Sequence, residues 1–349
     1  MSAPRNRVLV GDVRDVLSML PAAFVDTVIT SPPYFQLRNY SSDEQIGLEA
    51  SVDGWVDELR IVLRGLARVL KPTGSLWLNL GDTFSHAPSD GAPRKSLLLG
   101  PERLALAMIE DGWIIRSKVI WAKTNPMPTS VCDRLSCTYE VVYFATREQS
   151  YFFDLDAIRV PHRSSLKKPS KVAAKRAVDA VRPDWAGPLA GSNIGLDRTK
   201  ASGRVGHPLG KNTGDVWQYA TSTWRGEHHA LFPEALVTRP LLASCPEKVC
   251  AACGALWERS RADRSRALVV LGELRSSCDC NAGTKPGLVL DPFIGAGTTA
   301  VAAERHGRNW LGIELNPSFA AAATQRIEAE RVKRGDRDRR SVREPPMSA

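Results

Sequence analysis

Several features that would assign this chain to other protein classes are missing from its 349 residues. No uncharged apolar run approaches the ~18 residues that a membrane-spanning helix needs. The first fifteen residues carry five charged side chains where a secretory signal would have an apolar stretch, namely Arg5, Arg7, Asp12, Arg14 and Asp15. Hydrophobic residues make up 43% of the chain and charged residues 24%, which excludes disorder for most of it. We therefore expect a globular, cytoplasmic protein with one large core or two smaller ones.

Cysteine is also scarce, with seven residues in the whole chain. An odd number of cysteines in a reducing compartment predicts that no disulfide framework exists. Four of them follow the pattern C-x2-C and then C-x-C, namely Cys250, Cys253, Cys278 and Cys280. Four thiolates with this spacing are typical of a tetrahedral zinc site, which we predict here, with coincidental surface cysteines as the alternative.

The net charge of +9 is concentrated in one segment of the chain. Between Arg159 and Lys211 there are twelve basic and three acidic residues, so the rest of the chain is neutral overall. The segment contains many Gly, Pro and Ser residues and shows no sustained hydrophobic period, which predicts a loop-rich insertion. A basic module within a neutral protein favours a polyanionic partner such as nucleic acid, with a solvated surface as the alternative.

Outside this segment, predicted strands alternate with predicted helices. Short apolar runs at residues 7–10, 25–29 and 75–80 predict strands, whereas apolar residues recur at helical spacing from Ser51 until Lys71-Pro72-Thr73-Gly74 ends that helix. This alternation predicts an α/β fold with a doubly wound, mostly parallel sheet.

A glycine-containing turn joins a strand to a helix in LVLDPFIGAGTTAVAAE. Gly295 and Gly297 would let backbone N–H groups approach a ligand at the helix N-terminus, although a ligand-free tight turn is the alternative. The turn lacks the third glycine of the dinucleotide fingerprint and the lysine of a phosphate-binding loop, which disfavours a dinucleotide-dependent oxidoreductase. Glu314 ends the next strand, where a carboxylate can accept both ribose hydroxyls of a nucleoside. Together these features predict a nucleoside-containing cofactor.

The stretch TSPPY, residues 30–34, is the most informative part of the chain. Two prolines hold the backbone rigid, so the Ser31 hydroxyl and the Pro32 carbonyl become fixed acceptors while Tyr34 offers a flat face to a planar base. Two acceptors that hold both hydrogens of an exocyclic amine favour its pyramidal, nucleophilic form. A proline-rich turn with an exposed aromatic side chain is the alternative.

TSPPY and DPFIGAGTTA together resemble the catalytic and cofactor motifs of the DNA amino-methyltransferases. These enzymes transfer a methyl group from S-adenosylmethionine to cytosine N4 or adenine N6. The catalytic motif comes first here, the basic segment next and the cofactor motif last, an order similar to the permuted β group of that family. The resemblance covers residues 7–158 and 214–330.

The resemblance implies a set of site residues. The catalytic residues would be Ser31, Pro32, Pro33 and Tyr34, and the cofactor would be bound by Asp12, Asp291, Phe293, Gly295, Gly297 and Glu314. Asp12 would contact the adenine of the cofactor and Glu314 its ribose. His229 and Pro233 match a segment at the methionine end of the cofactor more weakly.

The predicted fold is thus a circularly permuted, Rossmann-like methyltransferase domain with two insertions. Its catalytic half would span residues 1–158 and its cofactor-binding half residues 215–330. The basic target-recognition module would occupy residues 159–214, the Cys-rich insertion residues 246–285 and a disordered basic tail residues 331–349.

The predicted function is site-specific DNA methylation, with cytosine N4 as the target atom. Ser before Pro-Pro-Tyr is more frequent in cytosine-specific members of the resembling family, and N6-adenine methylation is the alternative. We also expect the Ser31 hydroxyl to turn its proton toward the pyrimidine N3. Methylation of RNA or of a protein amide is disfavoured by the basic insert, and a non-catalytic zinc-containing nucleic-acid-binding module would not need Asp12, Ser31 and Glu314 together.

The expected partner is double-stranded DNA. The sequence leaves open whether a restriction endonuclease accompanies the protein and whether the protein is a monomer or a homodimer.

The location of the positive charge gives a first testable prediction. Replacing Lys167, Lys168, Lys171 and Lys175 with Gln should weaken DNA binding and flatten its salt dependence, because each phosphate contact releases counterions. The measurement is the slope of log Kd against log salt concentration, and a slope equal to that of the wild-type protein would show that the DNA binds elsewhere.

Overall fold

The computed structural model describes residues 4–40, 44–162, 207, 209–222, 232–259 and 272–343, with side chains up to residue 333. Most of the predicted recognition module and His229 therefore lie outside the described residues. The described strands are β1 Arg7–Val10, β2 Val25–Thr30, β3 Leu70–Leu80, β4 Ile114–Lys123, β5 Tyr139–Thr146, β6 Val216–Tyr219, β7 Val249–Cys250, β8 Trp257–Arg259, β9 Leu274–Ser276, β10 Thr284–Lys285, β11 Leu288–Asp291 and β12 Asn309–Glu314. The described helices are α1 Val13–Met19, α2 Val52–Val69, α3 Gly100–Glu110, α4 Glu234–Ser244, α5 Thr298–Arg305 and α6 Pro317–Arg343.

Eight of these strands form one sheet in the order β1-β12-β11-β2-β3-β5-β4-β6. The pairings are parallel except for the two that β5 makes with β3 and β4. The predicted mostly parallel α/β sheet is confirmed. Its permuted order is visible at one edge, where Val10 near the start of the chain pairs with Glu314 near the end.

Two hydrophobic cores lie on opposite faces of the sheet, which makes the fold doubly wound. Alternate residues of a strand point to opposite faces, so Val28 of β2 belongs to the core that also contains Trp55 of α2. Its neighbour Ile29 belongs to the other core, together with Val237 of α4 and Val301 of α5. Strands buried on both faces explain the continuous apolar runs in the sequence.

The start of β3 differs from the sequence-based prediction. α2 ends at Val69, just before Lys71-Pro72-Thr73-Gly74, as the sequence predicts. β3 begins earlier than predicted, at Leu70, and therefore includes these four residues. The pairing register of β2 and β3 shifts between Val25 and Thr27, and this irregularity accommodates a proline that cannot donate to the ladder. The Lys71 ammonium also binds the buried Asp26 carboxylate at 2.6 Å.

The last helix is longer than predicted. The sequence predicts a disordered tail from residue 331, whereas α6 continues to Arg343. The additional residues contain several arginines, which are good helix formers, and no proline before position 345. Residues 344–349 lie outside the described part.

The chain divides into two compact units. The larger consists of Met1–Asp154, Gly214–Glu258 and Leu274–Ala349, and the smaller of Leu155–Thr213 and Arg259–Glu273. Within the smaller unit, Val160 and Lys211 form an antiparallel bridge. Among the described helices, none is long and apolar enough to cross a membrane.

Candidate active site

The carboxyl ends of β1, β12, β11, β2 and β3 meet at one edge of the sheet, because these strands are parallel. A cavity at this edge, called here the first cavity, is lined by Asp12, Ser31, Phe293, Gly295 and Glu314 among others. A second cavity is lined by Pro32, Tyr34, Asn79, Lys123 and Glu140 among others. Tyr40 and Phe232 line both cavities, so the two adjoin.

Glu314 lies at the end of β12 on the wall of the first cavity. Its Oε2 accepts the Gly295 N–H at 3.0 Å and its Oε1 the Asn316 N–H at 3.0 Å. Burial raises the pKa of this carboxyl, and the N–H groups of Asn316, Gly295 and Leu315 act against that shift. Since each carboxylate oxygen has two lone pairs, Glu314 keeps acceptor capacity toward the cavity.

Asp12 lies across the β1–β12 pair from Glu314 and caps α1. Its carboxylate accepts the backbone N–H of Arg14 at 2.7 Å and the Nε of the same residue at 2.9 Å. Hydrogen bonds from the Arg14 side chain hold the pKa of Asp12 below its ordinary value. The predicted pair of carboxylates is thus brought together at one cavity, with Asp12 already engaged by a cation.

Asp291 and Gly297 lie behind the glycine turn and are not among the residues that line the first cavity. Asp291 is 1% exposed and accepts hydrogen bonds from Thr30 Oγ1 and Thr299 Oγ1, both at 2.7 Å. Gly297 has a φ of +80°, and a Cβ there would lie 3.2 Å from Ile327. The structure therefore places these two residues where they shape the turn, whereas Phe293 and Gly295 face the cavity.

The TSPPY motif follows β2 directly and lies between the two cavities. Ser31 and Pro33 line the first cavity, while Pro32 and Tyr34 line the second. Trp55 Nε1 donates to the Pro33 carbonyl at 2.9 Å, which fixes the turn to α2. Gly81 lies so close to the Tyr34 ring that a Cβ there would be 2.6 Å from Cε2, so one face of the ring is covered.

Two side chains that the sequence-based reasoning missed, Asn79 and Glu140, contact the Tyr34 hydroxyl, and a third, Lys123, pairs with Glu140. Glu140 Oε2 accepts the Tyr34 O–H at 2.7 Å, and Asn79 Nδ2 lies 2.7 Å from the Tyr34 oxygen. Lys123 Nζ binds Glu140 Oε1 at 2.7 Å. Burial and the Glu140 charge raise the pKa of Tyr34 well above its ordinary value, which keeps its proton in place. No motif connects these residues, because Asn79 and Glu140 reach the site from the antiparallel pair β3–β5.

The four clustered cysteines are also brought together. The sulfur atoms of Cys250, Cys253, Cys278 and Cys280 all lie within 4.8 Å of one another. The remaining cysteines do not join them: Cys245 is buried in the core, and Cys132 and Cys137 are exposed.

A protein-family model described as "DNA methylase" matches residues 25–325, which is most of the chain. The chain belongs to this N6/N4 DNA methylase family. The predicted family, the enzyme class and S-adenosylmethionine as cofactor are thereby confirmed.

Among curated relatives, the Type II methyltransferase M.Cfr9I of Citrobacter freundii is 30% identical over 342 residues, which cover 92% of the methylase and 87% of the relative. The Type II methyltransferase M.SmaI of Serratia marcescens is 28% identical over 343 residues, with 92% and 90% covered.

Two solved structures show that the methylase shares their fold. PvuII DNA methyltransferase, described as cytosine-N4-specific, aligns with a TM-score of 0.54 at 16% identity, covering 95% of the methylase and 93% of that chain. A DNA modification methylase of Thermus thermophilus, described as complexed with S-adenosyl-L-methionine, aligns with a TM-score of 0.51 at 21% identity, covering 93% and 96%.

The buried carboxyl of Asp291 gives a pH-dependent prediction. Desolvation raises its pKa from 3.8 to about 6, against hydrogen bonds from Thr299 and Thr30. A raised carboxyl pKa contributes stability that is present below pH 3.8 and lost as the pH rises through about 6. Between about pH 4.5 and about pH 7, the unfolding free energy of Asp291→Asn relative to wild type should therefore increase by about 2 kcal/mol.

Urea unfolding of both proteins at the two pH values measures this difference. Asp90→Asn is the matched control, since backbone N–H groups of Ala87 and His86 hold the pKa of Asp90 below its ordinary value. The stability that Asp90 contributes is lost only at lower pH, so its variant should show no such trend in this range. A flat difference for Asp291→Asn would contradict the prediction.

Proposed function

We propose that the protein is a Type II, site-specific DNA methyltransferase that methylates N4 of a cytosine turned out of the double helix. The observation that carries this proposal is the position of TSPPY between two adjoining cavities, one suited to the cofactor and one to a planar base. N6-adenine methylation is the alternative.

The first cavity fits S-adenosylmethionine by the chemistry of its walls. Glu314 has free lone pairs for the ribose hydroxyls, and apolar side chains such as Val13, Ile46 and Ile313 line the cavity where a planar adenine needs apolar contact. The Glu314 carboxylate suits a ligand that carries positive charge, whereas the charge of Asp12 is already balanced by Arg14. When bound, S-adenosylmethionine supplies an electrophilic methyl group on a sulfonium centre.

The second cavity fits an extrahelical base. Taking a base out of the stack costs a few kcal/mol, and stacking on an aromatic ring returns about 1–3 kcal/mol. Tyr34 has one face against Gly81 and lines this cavity together with Trp121. We propose that the open side of Tyr34 contacts the base.

The TSPPY backbone then holds the amine. Trp55 occupies the Pro33 carbonyl, so the acceptors proposed for the two amine hydrogens are the Ser31 hydroxyl and the Pro32 carbonyl. The amine attacks the methyl group directly and no covalent enzyme intermediate is needed. This agrees with the composition of both cavities, since among the described residues no cysteine lines either one.

The choice of cytosine rests on Ser31 and on the likeness to the fold of PvuII DNA methyltransferase, which is described as cytosine-N4-specific. The same proposal includes double-stranded DNA as partner, recognition by residues 159–214 and a cytoplasmic location together with the DNA. A restriction endonuclease that cuts the same DNA site is a further expectation, in keeping with the Type II names of the relatives.

A first prediction concerns Glu314. Glu314→Ala should weaken S-adenosylmethionine binding roughly ten- to hundredfold, because loss of a charge-assisted hydrogen-bond partner costs about 1.5–3 kcal/mol. Isothermal titration with the cofactor alone measures this, and Glu328→Ala, which removes the same charge from an exposed position on α6, is the control. Equal affinity in Glu314→Ala and wild type would sink the cofactor assignment.

A second prediction concerns the product and Ser31. Mass spectrometry of nucleosides from treated DNA should show N4-methylcytosine, and Ser31→Ala should bind the cofactor normally but methylate at least about tenfold more slowly, since one acceptor for the amine is lost. N6-methyladenine as the sole product would overturn the cytosine assignment and leave the amino-methyltransferase intact. A wild-type rate in Ser31→Ala would overturn the role of Ser31.

A further inference from the structure

Four cysteine side chains meet at one point far along the chain from the catalytic motif. Cys250 and Cys253 come from one turn and Cys278 and Cys280 from another, and all four sulfur atoms lie within 4.8 Å of one another. In a tetrahedral site with Zn–S bonds of about 2.3 Å, sulfur atoms are about 3.8 Å apart, so only small movements would close the site.

Each pair of cysteines lies in a turn with local hydrogen bonds. In the first turn, Gly254 has a φ of +74° and its N–H donates to the Cys250 carbonyl at 3.1 Å. In the second turn, the Cys278 N–H donates to Ser276 Oγ at 3.1 Å, and Ser276 Oγ lies 3.4 Å from the Cys278 sulfur. The two turns bring all four sulfur atoms to the same point.

We propose that Cys250, Cys253, Cys278 and Cys280 bind one structural zinc ion. Four thiolates complete its coordination and leave no position for a substrate, which distinguishes the site from a catalytic one. A cluster of several iron atoms distributes its cysteine ligands over different metal ions, so it would need the sulfurs further apart than they are. None of the four cysteines is among the residues that line the two cavities.

The zinc site is connected to the glycine turn along the chain, through the small β7–β10 sheet and then β11. Cys250 lies in β7, where it pairs with Thr284 of β10. Only two residues separate β10 from β11, and the Gly287 N–H between them donates to the Pro246 carbonyl at 3.0 Å. β11 ends at Asp291, which braces the glycine turn. The metal would therefore hold together the ends of the segment from Cys250 to Cys280, and the chain runs from there through β10 and β11 to the glycine turn.

Elemental analysis of the full-length protein, purified without chelators, tests the site. We expect one zinc per chain in wild type and in Cys137→Ser, an exposed cysteine outside the cluster, and loss of zinc in Cys253→Ser and Cys280→Ser. Removal of zinc with a chelator should lower the melting temperature without changing which base is methylated. Replacement by Co²⁺ should give thiolate-to-metal charge-transfer bands. Absence of both zinc and these bands, or stoichiometric iron in place of zinc, would overturn the proposal.

A second inference comes from counting donors and acceptors around Tyr34. Its oxygen lies 2.7 Å from Glu140 Oε2, 2.7 Å from Asn79 Nδ2 and 3.1 Å from Ser31 Oγ. A carboxylate can only accept, so the single Tyr34 proton goes to Glu140. The Asn79 amide also lies 2.8 Å from Glu140 Oε2, which fixes its NH₂ group toward these oxygens.

Only one role then remains for the Ser31 hydroxyl. The Tyr34 oxygen has given its proton to Glu140 and accepts from Asn79, so the contact with Ser31 requires that Ser31 donates. The Ser31 proton is thereby directed at Tyr34. Asn79 Nδ2 also lies 3.4 Å from Ser31 Oγ, so one Ser31 lone pair faces Asn79 and the other is left for the amine. This inference differs from the expectation that the Ser31 proton turns toward the pyrimidine N3.

We infer that Glu140, paired with Lys123, is a positioning residue that fixes the direction of the hydrogen-bond chain Ser31 to Tyr34 to Glu140. It keeps Ser31 an acceptor toward the substrate amine by acting through Tyr34. Glu140 also lines the second cavity, and the double-mutant cycle separates this indirect role from direct contact with the base. The inference rests on the proposed function, in which Ser31 holds the amine.

A double-mutant cycle tests the inference on the full chain. Glu140→Gln, whose amide can reverse the chain, should lower the single-turnover methylation rate roughly ten- to hundredfold with unchanged affinity for cofactor and DNA. In the Ser31→Ala background the same change should have no further effect, because Glu140 acts only through Ser31. Glu102→Gln is the matched control, since Glu102 also pairs with a lysine, Lys118, but outside both cavities.

The outcomes of the double-mutant cycle distinguish the role of Glu140 from the proposed function. If the two single effects multiply in the double variant, Glu140 acts independently of Ser31 and the inference is wrong, whereas the proposed function stands. If Ser31→Ala alone methylates at the wild-type rate, the proposed function fails first. Should Glu140→Gln not fold, Tyr34→Phe keeps the ring, removes the link in the chain and must show the same non-multiplicative behaviour with Ser31→Ala.

Discussion

The site depends on one buried carboxylate that joins two motifs far apart in the sequence. Asp291 accepts hydrogen bonds from Thr30, the first residue of TSPPY, and from Thr299 in the first turn of α5. Its Oδ1 also accepts the Phe293 N–H at 3.1 Å. The glycine turn and the TSPPY turn are therefore anchored to the same group, which fixes their separation. Such positioning matters because misplacement of reacting groups by about 1 Å can cost a hundredfold in rate.

The fold and the two motifs could be predicted from the sequence because their signals are local. Ser31 to Tyr34 and Gly295 to Gly297 are contiguous, and the residue types alone restrict what the backbone can do there. The pairing of β1 with β12 was implied by the permuted order of the motifs. The parallel register then brings Asp12 and Glu314 to one edge, as the resemblance required.

The support around the motifs could not be predicted in the same way. Glu140 lies in β5, and nothing in the sequence indicates that this strand runs antiparallel to β3 and carries a carboxylate to the Tyr34 hydroxyl. The motif predicted Asp291 as a cofactor-binding residue, and only the three-dimensional contacts show that it lies behind the glycine turn and hydrogen-bonds to Thr30 and Thr299. The length of α6 depends on helix propensity in a region whose composition resembles disorder.

The pairing of β1 with β12 also determines when the enzyme can become active during its synthesis. β1, which ends at Val10, is synthesised before β12. It has no neighbouring strand in the sheet until β12, which ends at Glu314, has been made. Contacts of such long sequence separation form late, because the loop between them must be closed first. The first cavity has walls from both strands, because Asp12 and Glu314 line it. We therefore expect a methylase chain that ends before Glu314 to lack this cavity.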